Sequence, residues 1–246
     1  MRYLEERKVG FPVRGIKVPI VTGAILFDLG VGRSRRRPDP AMAYRACRMA
    51  DARVAEGSVG AGTGASIGKL FGLSRAMKGG VGTASVSAGA LRVGALAVVN
   101  AFGDVRDPET GRLLAGVRDS ARGTTLSGAE ACLRSGAGPG TKGSGSTTLG
   151  LVATNAGLDR EQTCRLASAA QVALARCLSP AHTSHDGDLV FALSTGSVRA
   201  NELVLEALSA EALTRAILRG VMRAKGRPGL PAWKDRPGSG GKGGRS

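Results

Sequence analysis

Two glycine-rich stretches limit this chain more than any apolar run does. Residues 57–68 read Gly-Ser-Val-Gly-Ala-Gly-Thr-Gly-Ala-Ser-Ile-Gly, and a second stretch ends in Gly-Ala-Gly-Pro-Gly-Thr-Lys-Gly-Ser-Gly-Ser at Ser146. With 38 glycines in 246 residues the backbone must make many tight turns and close approaches. Aromatic residues are only 3% of the chain, so a core drawn from its 42% hydrophobic residues must be built of Ala, Val, Leu and Ile. That combination suits a layered protein of helices and sheets better than a helical bundle or a disordered chain. The length fits one large domain or two small ones.

The hydrophobic pattern predicts the elements. Met1–Glu6 reads as the end of a helix, and Ala24–Gly30 as a buried strand or strand-like segment. Residues 40–56 read as a helix, because Ala43, Cys47, Ala50 and Val54 recur on one face. Two strands are expected within 81–103, the second over Leu91–Phe102. Residues 104–146, dominated by Asp, Arg, Gly, Pro and Ser, read as a flexible connection. That segment runs without a polar turn into an apolar strand, Thr148–Thr154. A helix over Asp159–Cys177 follows, with Asp159 as N-cap and Gln162 three residues on; Leu166, Ala170, Leu174 and Cys177 line one face. A strand at Leu189–Ser194 and a helix from about Ala200 to Arg223 complete a single domain over 1–225. Residues 226–246, rich in Gly, Pro, Lys and Arg, read as a disordered basic tail. Strands and helices are mixed without βαβ alternation and without an internal repeat, which favours an α+β sandwich.

Charge and motifs exclude more than they assign. The net charge of +16 would suit a nucleic-acid partner. The charge is scattered, however, and dense only at Arg33, Arg35, Arg36, Arg37 and the tail. Aromatic surface for stacking bases is also scarce, so nucleic acid is not the expected partner. Cys47, Cys132, Cys164 and Cys177 lack metal-ligand spacing, and the first, third and fourth fall in helices, where thiols act as small apolar residues. No secretory leader opens the sequence, and no apolar run reaches the roughly 18 residues of a membrane span. The expectation is a soluble cytoplasmic protein with no membrane partner. Residues 57–69 fit neither a P-loop nor a dinucleotide fingerprint, and no G-x-S-x-G elbow occurs. His182-Thr183-Ser184-His185-Asp186-Gly187-Asp188 is too local to converge on one ion. No metal or organic cofactor is expected.

One junction carries chemistry. At Gly145-Ser146-Thr147-Thr148-Leu149 a Gly/Ser lead ends on a hydroxyl residue that opens an apolar strand. Such a hydroxyl can attack the preceding carbonyl and give an ester that water opens. The new chain then starts with Thr147, whose α-amine, ordinarily near pKa 7.7–8.0, can act as base for its own hydroxyl. Ser146 is the alternative nucleophile, and a plain linker ending before a strand is the alternative without chemistry.

The run Thr147-Thr148-Leu149-Gly150-Leu151-Val152-Ala153-Thr154-Asn155-Ala156 resembles the nucleophile strand of the DmpA-type N-terminal-nucleophile aminopeptidases, peptidase family S58. This family also includes L-aminopeptidase/D-esterases and nylon-oligomer hydrolases. Tyr3-Leu4-Glu5-Glu6-Arg7, Gly10-Phe11-Pro12-Val13 and Pro19-Ile20-Val21 are similar to the family's early helix and loop, and Ala24–Leu29 to the strand after it. Gly60-Ala61-Gly62-Thr63-Gly64-Ala65 with Lys69, and Lys78-Gly79-Gly80-Val81-Gly82-Thr83-Ala84-Ser85, resemble its two glycine-rich signatures. His182-Thr183, Asp186-Gly187-Asp188 and Phe191–Gly196 resemble its second-subunit signature.

The resemblance implies a four-layer αββα sandwich of the DmpA/ornithine-acetyltransferase type. It implies self-cleavage into an α chain, 1–146, and a β chain, 147–246, that stay associated, with homo-oligomers of the processed pair. The implied activity is hydrolysis of amide bonds in small peptides or amides. Thr147 is then the nucleophile and, once exposed, its own base. Asn100 positions or stabilises the oxyanion, and Lys69, with Lys78 as rival, is the active-site lysine. Asp186 and Asp188 hold the Thr147 amine and the lysine. Family members often carry Asn where this chain has Ser146, and an additional N-terminal region before the helix that begins here at Met1. An inactive relative that only binds, and a basic nucleic-acid-binding protein, are the competing functions.

Overall fold

The computed structural model describes residues 1–32, 37–138 and 145–238. Its contacts divide the chain into two units, residues 1–25 with 32–54, and residues 26–31 with 55–246. The single body expected over 1–225 is thus two.

The first unit has helix α1 (Arg2–Glu5), a hairpin of β1 (Phe11–Val13) and β2 (Ile16–Val18), and helix α2 (Pro40–Arg48). Asp39 caps α2 by accepting the Met42 N–H at 2.7 Å, with Pro40 at the first helical position. The helix stops well short of residue 56. Past it the Asp51 carboxylate takes the Arg53 N–H at 2.6 Å, a local turn that competes with helix. The face of Ala43, Cys47, Ala50 and Val54 is exposed. This unit is held by polar and ring contacts: Arg2 with Glu6 at 2.8 Å, Tyr44 Oη on Glu6, and Tyr3 edge-on to Tyr44 at 5.8 Å.

The second unit carries the core. It contains β3 (Ser66–Ile67), β4 (Met77–Lys78), β5 (Gly80–Ala88), β6 (Leu91–Val99), β7 (Asp104–Arg106), β8 (Leu113–Ala115) and α3 (Ala129–Arg134). After these come β9 (Leu149–Ala156), α4 (Arg160–Ala170), α5 (Val172–Cys177), β10 (Leu178–Ser179), β11 (Leu189–Val198) and α6 (Glu202–Met222). The main sheet has the order β11-β9-β6-β5, with β11 parallel to β9 and the other pairs antiparallel. Along β9 burial alternates: Gly150, Val152, Thr154 and Ala156 are buried, while Leu149, Leu151, Ala153 and Asn155 are half-buried. On α6, Leu205, Leu213, Ala216, Ile217 and Val221 join the cluster that includes Val93, Val152 and Leu166. Where α6 crosses β5 the backbones touch. A Cβ on Gly82 would lie 2.1 Å from the Ala216 carbonyl oxygen, so only glycine fits. Glu56 clamps the same crossing, accepting from Arg219 Nε at 2.8 Å and Nη2 at 2.6 Å and from the Thr83 N–H at 2.8 Å.

The expected Asp159–Gln162 capping box is present, and Leu166, Ala170, Leu174 and Cys177 are all buried, on two helices joined at Gln171. Cys177 behaves as a core residue, with burial pushing its thiol up to about 12, whereas Cys47 and Cys164 are exposed.

Three expectations are corrected. Ala24–Gly30 forms no strand: Leu26 packs against Ala65, Val81 and Val98, and the Phe27 carbonyl bonds to the Asn100 side chain rather than to a ladder. Residues 104–138 are built, not a loose connection. The buried Asp104 carboxylate takes the N–H groups of Val117, at 2.8 Å, and Ala129, at 2.5 Å. The buried Arg118 guanidinium donates to the carbonyls of Ser74, Ala76, Ala121, Gly123 and Gly229. Residues 226–238 are ordered as well. Leu230 and Ala232 are buried, a short 3-10 turn spans Trp233–Asp235, and Arg236 donates to the carbonyls of Leu113, Leu114 and Thr124. In the last two segments polar side chains satisfy backbone hydrogen-bonding groups. Residues 239–246 of the expected tail, Arg33, Arg35 and Arg36 of the basic loop, and 139–144 of the glycine-rich lead lie outside the described residues. Among the described residues no helix is long and apolar enough to cross a membrane.

Candidate active site

Sheet topology brings three segments to one edge. Strand β6 ends at Val99 with Asn100 next; β9 begins at Leu149 just after Thr147; β11 begins at Leu189 just after Asp186-Gly187-Asp188. Val98 pairs with Leu149, and Leu149 with Leu189. The exit of β6 therefore lies beside the entrances of β9 and β11, and Asn100, Thr147 and the Asp pair are gathered there by register alone.

A loop from outside the sheet delivers the lysine. The N–H groups of Gly68 and Lys69 bond to the carbonyls of Gly103, at 3.0 Å, and Phe102, at 2.8 Å. Gly68 has φ of +75°, and a Cβ there would lie 2.1 Å from the Gly116 carbonyl carbon, so the approach requires glycine. Lys69, 4% exposed, then donates from Nζ to the Asn100 carbonyl at 3.0 Å and to Asn100 Oδ1 at 2.9 Å. The Thr147 N–H donates to the same Asn100 carbonyl at 3.1 Å. The Asn100 side chain is fixed at both ends. Its Oδ1 also accepts the Ser66 N–H at 3.0 Å, and its Nδ2 donates to the Phe27 carbonyl at 3.2 Å. Ser66 and Phe27 are partners that the sequence did not single out, because both act through backbone atoms.

The Asp pair splits. Asp188 Oδ1 accepts the Thr148 N–H at 2.6 Å, while its buried Oδ2 has no hydrogen-bond partner among the described residues. Asp186 Oδ2 accepts the Thr183 N–H at 3.0 Å and hydroxyl at 2.7 Å. Among the described residues no hydrogen bond joins either carboxylate to Lys69, yet both charges act on it. Burial pushes the Lys69 ammonium down to about 7, opposed by the negative charges of Asp186, Asp188 and Asp28. Burial likewise raises the Asp188 carboxyl to about 6, opposed by its bond to Thr148 and by His182 and Lys69, while Asp186 adds to the rise. The ring of His185 stacks on Phe102 at 4.7 Å between centroids, holding the turn against the exit of β6.

Thr147 is 8% exposed at the start of β9. The preceding carbonyl, of Ser146, accepts the Gly187 N–H at 2.8 Å. Lys78 stands apart. Its buried Nζ donates to the carbonyls of Gly62 and Ala65, each at 2.8 Å, and of Gly79 at 2.9 Å, so all three N–H groups are spent on the glycine-rich loop. The group brought together is therefore Thr147, Asn100, Lys69, Asp186 and Asp188. No cluster of His, Cys, Asp and Glu fit to hold a metal occurs among the described residues.

The chain is similar to known proteins. It is 40% identical to uncharacterized aminopeptidases of Mycobacterium tuberculosis, over 96% of itself and 72% of the relative, and of Mycobacterium leprae, over 95% of itself and 69% of the relative. It is 26% identical, over 87% of itself and 63% of the relative, to a 6-aminohexanoate-oligomer endohydrolase of Paenarthrobacter ureafaciens. Among solved structures it is similar to a Pyrococcus horikoshii OT3 protein at a TM-score of 0.50 and 28% identity, over 75% of this chain and 49% of that one. The L-aminopeptidase D-Ala-esterase/amidase of Ochrobactrum anthropi, a variant of the Ntn-hydrolase fold, gives a TM-score of 0.53 at 20% identity, over 78% of this chain and 52% of that one. That likeness shows the fold, and the chain spans about half the length of those solved structures. The sequence model of peptidase family S58 matches residues 1–231, and the chain belongs to that family.

Proposed function

We propose that this chain is a self-processing hydrolase that cuts its own Ser146–Thr147 bond and then uses Thr147 to hydrolyse amide bonds of small peptides or amides. One observation carries the reading: the Thr147 N–H and the Lys69 ammonium meet on a single acceptor, the Asn100 carbonyl, at 3.1 and 3.0 Å. The bond to be broken thus has its nitrogen pinned beside the Lys69 hydrogen-bond donor in a buried, low-dielectric site. The Thr147 Oγ bonds to the Ser146 carbonyl carbon. As the C–N bond breaks, the hydroxyl proton passes to the nitrogen. Water opens the resulting ester, releasing the Ser146 carboxylate and restoring the hydroxyl.

Cleavage converts an amide with one N–H into an amine with more donors. Asp188 suits that change, since one oxygen already holds the adjacent Thr148 N–H and the other is unpartnered. The freed amine, ordinarily near pKa 7.7–8.0, is the base for the Thr147 hydroxyl. Family membership and relatives named as aminopeptidases and as a 6-aminohexanoate-oligomer hydrolase support amides of amino-bearing acids as the substrate class. The test is hydrolysis of amino-acid p-nitroanilides and 6-aminohexanoate oligomers. We expect turnover by the cut protein, residual turnover by Thr147→Ser and none by Thr147→Ala. Equal turnover by wild type and Thr147→Ala would refute the assignment.

A further inference from the structure

The geometry points to the backbone N–H of Gly187 as the oxyanion donor, first for self-cleavage and then for the substrate amide. This deepens the proposed function and rests on it. In the uncut chain this N–H already sits 2.8 Å from the oxygen of Ser146, the carbonyl that Thr147 would attack. A donor at that distance polarises the carbonyl in the ground state, and its bond strengthens as charge develops on the oxygen.

The Asn100 side chain is committed elsewhere by comparison, through Ser66, Lys69 and Phe27. Its role is then to hold Lys69 and, through its own carbonyl, the scissile nitrogen. Gly187 also lies against the nucleophile: a Cβ on it would stand 3.0 Å from Thr147 Oγ1 and 3.7 Å from the Ser146 oxygen. Absence of a side chain therefore lets one residue face both the attacking oxygen and the attacked carbonyl. The turn before it is fixed, since Asp186 N–H bonds to the Thr183 carbonyl at 3.0 Å and the Asp186 carboxylate to Thr183. Gly187 is exposed, so the donor stays reachable once Ser146 has left.

The ester formed in self-cleavage and the acyl-enzyme formed with a substrate are the same linkage, an acyl group on Thr147 Oγ. The incoming carbonyl takes the place of Ser146, and the same N–H meets it.

The experiment replaces Gly187 by glycolic acid in the full chain, exchanging the N–H for an ester oxygen with no added bulk. Cutting is followed by intact mass, and folding is checked by the melting temperature of the same exchange in Thr147→Ala. We expect cutting to slow by about 10²-fold or more, with kcat/KM of whatever is cut falling by a similar factor. Cutting within twofold of wild type would overturn the inference. Gly187→Ala serves as the second variant, because it keeps the N–H but crowds Thr147. It must slow cutting less than the ester exchange; an equal or larger effect would assign the rate to packing and overturn the inference. If the wild-type chain does not cut at all, the proposed function fails by itself. The ground-state contact is then read from the infrared band of a 13C-labelled Ser146 carbonyl, which must move to higher wavenumber on the ester exchange.

Discussion

Lys69 and Lys78 are both buried, nine positions apart on the same glycine-rich segment, and they do opposite work. Lys78 spends its three donors on carbonyls of its own loop, so its charge is a fastener for Gly62, Ala65 and Gly79. Lys69 reaches across to Asn100 and leaves its loop to be held by Gly68 and by backbone bonds to Gly103 and Phe102. Burial lowers both, Lys69 to about 7 and Lys78, with Arg227 adding to the fall, to about 8. Desolvation alone therefore does not separate the two lysines; what each faces does.

The sharpest way to break this contrast is to remove each amine. Lys69→Met should slow cutting at 146/147 by about 10²–10³-fold, the cost of one positioned hydrogen-bond donor at a reacting centre, without unfolding the chain. Lys78→Met should do the reverse. Three buried carbonyls lose their donor, at about 1–3 kcal/mol each where no water replaces it, so stability should fall by about 3 kcal/mol or more. At about 2–4 °C per kcal/mol for a chain of this size, that is a drop of at least about 6 °C in Tm. The fraction that folds should still cut. Equal effects of the two changes on cutting would erase the distinction.

A smaller effect sharpens the contrast further. Between pH 7 and 10.5 the folded chain keeps Lys69 mostly neutral while the unfolded chain binds its proton. Stability therefore rises with pH across that window, and below about pH 7 the full cost of burying the ammonium is present. Lys69→Met in a Thr147→Ala background lacks this slope. Relative to its parent it should gain in melting temperature as pH falls from 10 toward 7. A pH-independent difference would mean that Lys69 is not held below its ordinary value.

The strands and helices of the second unit were legible because their signal is apolar periodicity: Leu166, Ala170, Leu174 and Cys177 face the core as their spacing demands. Segments stabilised by polar side chains were not. Asp104, Arg118 and Arg236 look like loop residues in sequence, yet each side chain ties several backbone groups together. The candidate site divides in the same way. Thr147, Asn100, Lys69, Asp186 and Asp188 stand in recognisable motifs, and the structure brings them to one sheet edge. The contribution of Gly187, Ser66 and Phe27 lies in backbone atoms, which residue identity does not report. The choice of Lys69 over Lys78 also needed geometry, since both sit in glycine-rich signatures and only the acceptor set separates them.

Every step proposed for the site depends on attack by Thr147 on the carbonyl of Ser146. Intact mass of the purified wild-type chain, alongside Thr147→Ala, tests it most directly. Two products meeting at Ser146/Thr147 are expected in the wild type, and a single uncut chain in the variant. A folded wild-type chain that stays whole, or a variant that cuts at the same bond, would contradict it.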